Sequence, residues 1–286
     1  MKDKICMITG ATSGIGKATA LGLARMGTSV VIVGREQSRG ESARDEIRVQ
    51  SKNPNVDLLL ADLSSQAAIR QFVMNFKAKY TQLHVLINNA GVSPIKRAVT
   101  IDGIETTFAV TYLAPFLLTN MLLDVITSSA PARVVNVAGD FHRKATIQFD
   151  NLMSERDYTY IRANNQAKLA LILFTYELAR RLSGTGVAVN CLHPGAVATD
   201  APLKDPDLSP FARFMYSLVK PFFISPTKGA ETSIFLACSP EVERVTGKYF
   251  IKKSTVASSP ETYNEEIARH LWEVSAKLTG LVENQQ

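Results

Sequence analysis

Thr9-Gly10-Ala11-Thr12-Ser13-Gly14-Ile15-Gly16 sets three glycines where a short apolar run gives way to an amphipathic pattern. Backbone without side chains can turn tightly there and approach a pyrophosphate, whose charge then faces the N-terminus of the next helix. Gly10, Thr12, Ser13, Gly14, Ile15 and Gly16 are therefore candidate cofactor-binding residues. A second apolar run ends at Val33 and is followed by Gly34-Arg35. An acid at this point would accept hydrogen bonds from the ribose of NAD. A guanidinium instead pairs with a 2′-phosphate, so Arg35 favours NADP(H), with Lys17 and Arg39 able to add to its field. Asp62 and Leu63, after the third run, are placed to meet the adenine ring. Asn89, Ala90 and Gly91 follow the fourth run, with small residues and amides where the cofactor crosses the sheet edge.

The elements that must hold these residues alternate along the first two hundred positions. Strands are expected at 5–9, 29–33, 56–60, 84–87, 132–137 and 187–192, with a late one at 249–251. Helices are expected at 15–26, 37–51, 66–80, 104–128 and 160–182. Strand, helix and returning strand repeated this often imply a parallel sheet covered on both faces, and the continuous apolar character of the strands agrees. No linker interrupts the pattern, so residues 1–286 are expected to form one α/β domain. Texture changes only at 194–226, where prolines and long apolar side chains gather. That stretch reads as a lid over an apolar substrate, with Phe211, Phe214, Met215 and Phe222 as its contacts; an extra helix packed on the core is the alternative. Residues 259–281 read as an amphipathic helix closing on the domain.

Composition sets the limits. Of 286 residues, 46% are hydrophobic and 20% charged, which suits a large buried core and excludes a disordered chain. The net charge of +6 is modest, and the basic residues are dispersed without aromatic interleaving, so nucleic acid is not an expected partner. Three cysteines, Cys6, Cys191 and Cys238, offer neither a disulfide framework nor metal-ligand spacing, and the four histidines lie far apart. No metal is expected. The first apolar run is far shorter than the roughly twenty residues of a membrane-spanning helix, so a soluble, cytoplasmic-type protein is expected, without signal peptide or transmembrane segment.

The glycine turn at 9–16, Asn88-Asn89-Ala90-Gly91, Arg133-Val134-Val135-Asn136-Val137 and His193-Pro194-Gly195 together resemble the short-chain dehydrogenase/reductase family. Phe174-Thr175-Tyr176-Glu177-Leu178-Ala179-Arg180-Arg181-Leu182 and Ile267-Ala268-Arg269-His270-Leu271-Trp272 narrow the resemblance to its retinol dehydrogenase-like and WW-domain oxidoreductase-like branch. The resemblance covers about residues 4–281. It implies a Rossmann-type, doubly wound sheet of about seven strands and a homodimer or homotetramer, with a nicotinamide near His193, Pro194, Gly195, Val197 and Thr199. It also implies hydride exchange with a hydrophobic alcohol or carbonyl.

The family mechanism needs a tyrosine as proton donor, a serine to hold the oxygen, a lysine at the ribose and a helix asparagine. The lysine is Lys168. One turn earlier, where the tyrosine belongs, stands Asn164; the serine position holds Gly139 and the asparagine position Thr111. Asparagine can donate a hydrogen bond but is no acid near neutral pH. Substitutes lie close in sequence: Asp140, His142, Tyr160 and Tyr158. Three functions follow. The first is an atypical NADP(H)-dependent oxidoreductase acting on a hydrophobic activated carbonyl, iminium or alkene, with Asp140, His142, Tyr160, Asn164 and Lys168 as the site. The second is a non-redox enzyme, a cyclase, isomerase or dehydratase, in the same cleft. The third is a catalytically silent NADP-binding protein. Peripheral membrane contact through 211–223 is compatible with each.

Overall fold

A computed structural model describes residues 1–198, 203 and 205–281. In chain order its elements are β1 Ile5–Thr9, α1 Gly14–Ala24, β2 Ser29–Gly34, α2 Gln37–Ser51, β3 Val56–Leu60, α3 Gln66–Lys79 and β4 Val85–Asn88. There follow α4 Thr106–Phe108, α5 Ala114–Met121, α6 Leu123–Ser128, β5 Ala132–Val137, α7 Tyr160–Arg181 and β6 Val187–His193. The chain ends with α8 Pro210–Val219, α9 Pro226–Cys238, β7 Lys248–Ile251, β8 Ser254–Thr255 and α10 Glu265–Thr279.

The strands form one sheet in the order β3-β2-β1-β4-β5-β6-β7-β8, parallel except for the β7–β8 pair. Strand order reverses between β1 and β4, which opens a crevice at the carboxyl ends of those strands. Alternation along each strand feeds two apolar layers. Met7, Val31, Leu86, Val134 and Cys191 face Phe76 of α3, Phe116 of α5, Phe174 of α7 and Trp272 of α10. Cys6, Ile8, Ile32, Val135 and Leu192 face Leu23 of α1, Ile47 of α2 and Leu236 of α9. Two-sided burial is what makes the strands read as unbroken apolar runs. This is the doubly wound Rossmann-type arrangement, with eight strands in place of about seven.

Three departures from expectation have local causes. The single helix expected over 104–128 is broken: a π-helical turn, Ala109–Leu113, separates α4 from α5, and Leu122 (φ −103°, ψ 1°) divides α5 from α6. The π turn holds Thr111, whose hydroxyl both accepts from Val92 N and donates to Val92 O, each at 3.2 Å. The extra strand β8 returns through Lys252 and Lys253, both at positive φ (50° and 68°). Such a turn is usually marked by asparagine or glycine, so two lysines conceal it. The C-terminal stretch begins with a 3-10 turn, Pro260–Tyr263, before α10, where Asn264 caps the helix by accepting from Glu266 N and Ile267 N. Among the described residues no helix is long and apolar enough to cross a membrane, and the three cysteines are unpaired.

Candidate active site

The cofactor end is built from backbone held by Thr9 and Asn89. Thr9 Oγ1 accepts from Asn89 N and Ala90 N at 3.0 Å each, and the Asn89 amide donates to Thr9 O (2.8 Å) and Gly10 O (3.2 Å). This cross-linking of the β1 and β4 ends brings the glycine turn against Ala90. A Cβ on Gly16 would lie 2.3 Å from Gly10 O and 2.5 Å from Asn89 Nδ2, so only glycine permits the approach. Gly10 and Gly14 take positive φ (66° and 55°). Ser13 is the N-cap of α1 but makes no side-chain capping bond, and the first turn of α1 carries no acid. The N–H groups of that turn are therefore available to an anion. Thr12 sits against Gly34, whose added Cβ would meet Thr12 Cγ2 at 2.5 Å, and Ile15 reaches the start of α9 at Gly229 beside Val197. These residues fit a dinucleotide pyrophosphate.

At the adenine end, Arg35 is exposed just beyond β2 and has no ion-pair partner within 4 Å among the described residues. Asp62 accepts from Ser64 N (2.9 Å) and Ser64 Oγ (2.6 Å). Burial opposes its charge, but those two bonds and the charge of Arg35 outweigh burial and hold the carboxyl below the ordinary range. Leu63 packs, partly buried, on the core. Lys17 pairs with Glu46 at 2.7 Å and Arg39 with Glu36 at 3.4 Å, so both cations of lesser rank are committed to acids. They nonetheless line one open cleft of about 290 Å³ with Thr12, Ser13, Ser38 and Ser42.

At the chemical end, Lys168 Nζ donates to Val137 O at 3.0 Å. Burial pulls its pKa from the ordinary lysine value down to about 8. A Cβ placed on Gly91 would lie 3.7 Å from that amine and 3.4 Å from Thr111 Oγ1, which puts Gly91, Thr111 and Lys168 around one small space. Gly139 is close to fully extended (φ 159°, ψ 172°), and an added Cβ there would meet only Phe141 Cδ2, at 3.8 Å. No side chain therefore fills the place where the resemblance puts a serine. The side chain of Asn164, half-buried on α7, makes no hydrogen bond among the described residues.

The substitute acids are mostly committed elsewhere. His142 is fully buried: Nδ1 lies 2.8 Å from Gly139 O and Nε2 accepts from Ser259 N at 3.2 Å. That pattern puts the proton on Nδ1 and leaves the ring no free function, and burial lowers its pKa further. The expectation of His142 as an acid or base is corrected to a structural pin. Asp140 is paired with Arg143 at 2.6 Å. Tyr158 donates to Pro94 O at 2.6 Å. Tyr160 opens α7 with its ring 45% exposed, and helical side chains lean toward the N-terminus, which carries the phenol away from Asn164.

Two residues that patterning did not single out for chemistry carry orphaned polar atoms. Asn165 Oδ1 and His193 Nδ1 are buried without a hydrogen-bond partner among the described residues. His193 ends β6, beside the Ala138 N–Leu192 O bond (2.9 Å) that joins β5 to β6. Burial lowers its pKa, with the charges of Asp140 and Lys168 close enough to act on it in opposite directions. Nothing in residue type distinguishes a satisfied histidine from an orphaned one.

Beyond β6, Gly195 takes φ 94°, and its added Cβ would meet Ile224 Cδ1 at 2.7 Å. Pro194 and Val197 line the same loop, and Val197 pairs with Ile224 in an isolated parallel bridge. Thr199 lies outside the described residues. Phe211, Phe214 and Met215 on α8 and Phe222 in the 3-10 turn after it are 42–87% exposed, and neither element has a buried residue. The stretch expected as a lid presents an open apolar face.

The description "short chain dehydrogenase" is that of the family matching residues 4–206. Human retinol dehydrogenase 12 is 43% identical over 281 residues, covering 98% of this chain and 88% of that protein. Human polyprenol dehydrogenase is 40% identical over 287 residues, covering 98% and 86%. Among solved structures, an uncharacterized protein from Mycobacterium paratuberculosis superposes with a TM-score of 0.78 at 28% identity, covering 98% of this chain and 94% of that one. A blue fluorescent protein from a metagenomic library, in complex with NADPH, shares the fold at a TM-score of 0.67 and 24% identity, covering 87% and 96%. With the glycine cradle, the strand reversal and Lys168 all in register, this chain belongs to the short-chain dehydrogenase family.

Proposed function

We propose that the chain is an NADP(H)-dependent oxidoreductase that acts on a hydrophobic small molecule without the usual serine–tyrosine pair. One juxtaposition carries the reading: Lys168 stands in place at Val137 O beside an intact dinucleotide cradle, while positions 139 and 164 bear no hydroxyl. When bound, the nicotinamide supplies or accepts a hydride. Lys168 holds a ribose hydroxyl at the end of β5. Arg35, uncommitted at the end of β2, selects the 2′-phosphate, and the serine- and threonine-lined cleft beside it adds hydroxyl donors. Asn164 can offer its amide N–H to a substrate heteroatom but no proton.

That division favours electrophiles that need little acid help. An iminium is the limiting case, because hydride addition neutralises its charge and no proton is required. Activated carbonyls and alkenes follow, with His193 the titratable group at the cleft whose ring is uncommitted among the described residues. The relatives named for retinol and polyprenol support a long apolar substrate.

The test is a fluorescence titration with NADPH and NADH, followed by turnover on a panel of apolar imines, enals and aldehydes. NADPH is expected to bind more tightly than NADH, and Arg35→Asp to weaken NADPH by about tenfold or more. Failure to bind either dinucleotide overturns the reading. Binding without turnover on any panel member shifts it to a non-redox enzyme or a silent binder.

A further inference from the structure

Alternation along β6 divides its side chains between two layers. Val187, Val189 and Cys191 face the layer that holds α7, while Leu192 faces the layer of α1 and α9. His193, the last residue of the strand, therefore turns its ring to the α7 side. β5 runs beside it in step: Val137 pairs with Leu192, so Ala138, which also faces the α7 layer, lies next to His193. One residue further on stands Gly139, without a side chain, and Lys168 Nζ is fixed from α7 at Val137 O. The imidazole shares one end of one layer with both.

Its ring differs from those of the other buried histidines. His84 Nδ1 accepts from Ile5 N at 3.1 Å, and His142 is bonded at both nitrogens. His193 makes no side-chain hydrogen bond among the described residues, although its Nδ1 is buried. A buried nitrogen left unpaired is costly, and a fold keeps one where a bound group completes it.

The charges around the ring are mixed. Burial holds its pKa below the ordinary histidine value; Asp140 favours the charged form, and Lys168 and Arg143 oppose it. His142 also lies within its field. From β7, Ile251 stands in register with His193, and Tyr249 gives its hydroxyl to Gly139 O. Pro194 to Ala198, which follow in the chain, carry no charge. Asp140 is spent on Arg143 and His142 on its two backbone bonds. The His193 ring is left with a proton to give.

We propose that the His193 imidazolium supplies, to the oxygen of a carbonyl substrate, the proton that a phenol at position 164 would have supplied. The inference rests on the redox reading above. As a hydride from NADPH forms the C–H bond at the carbonyl carbon, the C=O π pair moves to oxygen. The imidazolium N–H bond breaks, and its proton forms the O–H bond. The aldehyde becomes an alcohol, the dinucleotide is left as NADP⁺, and the neutral imidazole takes its next proton from water. An iminium needs no such proton, because the moving pair ends as the lone pair of a neutral amine.

Two measurements test this. In the first, the imidazole resonances of the cofactor-free protein are followed by NMR against pH, with His193 assigned from the spectrum of His193→Gln. Its midpoint is expected below the ordinary histidine value, to rise in Lys168→Met and to fall in Asp140→Asn. A midpoint that neither substitution moves overturns the proposal. In the second, turnover of an apolar aldehyde is compared with that of an N-alkylated cyclic iminium ion. The wild-type aldehyde rate should climb as pH falls toward a plateau below the His193 midpoint, and the iminium rate should not. His193→Gln should lower aldehyde reduction by about 10²-fold, abolish its pH dependence and affect the iminium far less. Equal loss on both substrates assigns the ring to positioning and overturns the proposal. Aldehyde reduction by His193→Gln at the wild-type rate removes the proton donor and leaves the redox reading standing, whereas a wild type that reduces neither substrate overturns both.

Discussion

The amine of Lys168 is bonded to the carbonyl oxygen of Val137 across 3.0 Å, which fastens the middle of α7 to the carboxyl end of β5. Gly139 follows two residues after that carbonyl, and Asn164 precedes the lysine by one helical turn. That bond sets near one another the three positions to which the resemblance assigns the carbonyl chemistry, two of which carry no hydroxyl.

Restoring those groups should restore the chemistry. An added Cβ on Gly139 meets nothing closer than 3.8 Å, so serine has room there, but at φ 159° it must bear backbone strain. Asn164→Tyr together with Gly139→Ser is expected to raise reduction of an apolar aldehyde by on the order of 10²-fold. NADPH consumption is the readout; an unchanged rate would mean that the cleft no longer aligns a carbonyl with the cofactor.

Lys168 should make alkaline stability pH-dependent. Its folded pKa of about 8 lies below the unfolded value. Between the two, the unfolded chain binds more protons, so unfolding free energy rises with pH from about 8 to 10. Lys168→Met removes that rise. Urea denaturation of both proteins at the two ends of the window measures the difference, and parallel pH slopes would contradict it.

Acid should destabilise through the buried histidines. Burial lowers the pKa of His84, His142 and His193. Below the ordinary histidine value the unfolded chain binds more protons, so stability falls as pH drops from about 6.5 toward 5. His84 Nδ1 accepts from Ile5 N, and His142 Nε2 from Ser259 N, bonds that protonation breaks. His142→Phe should flatten part of the slope while costing about 2 kcal/mol, because Ser259 N–H loses its acceptor. Thermal melts across that pH range report both effects.

Gly16→Ala should separate fold from cofactor binding. The new methyl needs the space of Gly10 O and the Asn89 amide, so the turn must open. A loss of about 2 kcal/mol in stability is expected, with NADPH affinity down by about tenfold or more as the helix N-terminus moves off the pyrophosphate. Retained affinity would place the pyrophosphate elsewhere.

The parallel core was legible because burial on both faces leaves its mark in every residue of a strand: β1, β3 and β5 stand where apolar runs put them. The glycine turn was legible for a related reason, since Gly16 is required by contact. What escaped notice depends on single bonds. Thr111 turns back on Val92 from within the π turn, and two left-handed lysines make the β7–β8 hairpin; neither has a compositional signature. A histidine pinned at both nitrogens, as His142 is, and one poised for catalysis are the same letter in a sequence.

The Val197–Ile224 bridge has a consequence of another kind. Among the described residues the chain between its feet is tied to the domain by this rung and by two contacts to the loop after β4, Asp205 to Ile95 N and Lys96 to Asp207, so a change of length that keeps those ties costs mainly closure entropy, which grows logarithmically. Segments of different length and sequence can therefore be exchanged there while the sheet and the glycine turn keep their geometry. The rung makes this stretch an interchangeable module on a fixed chassis.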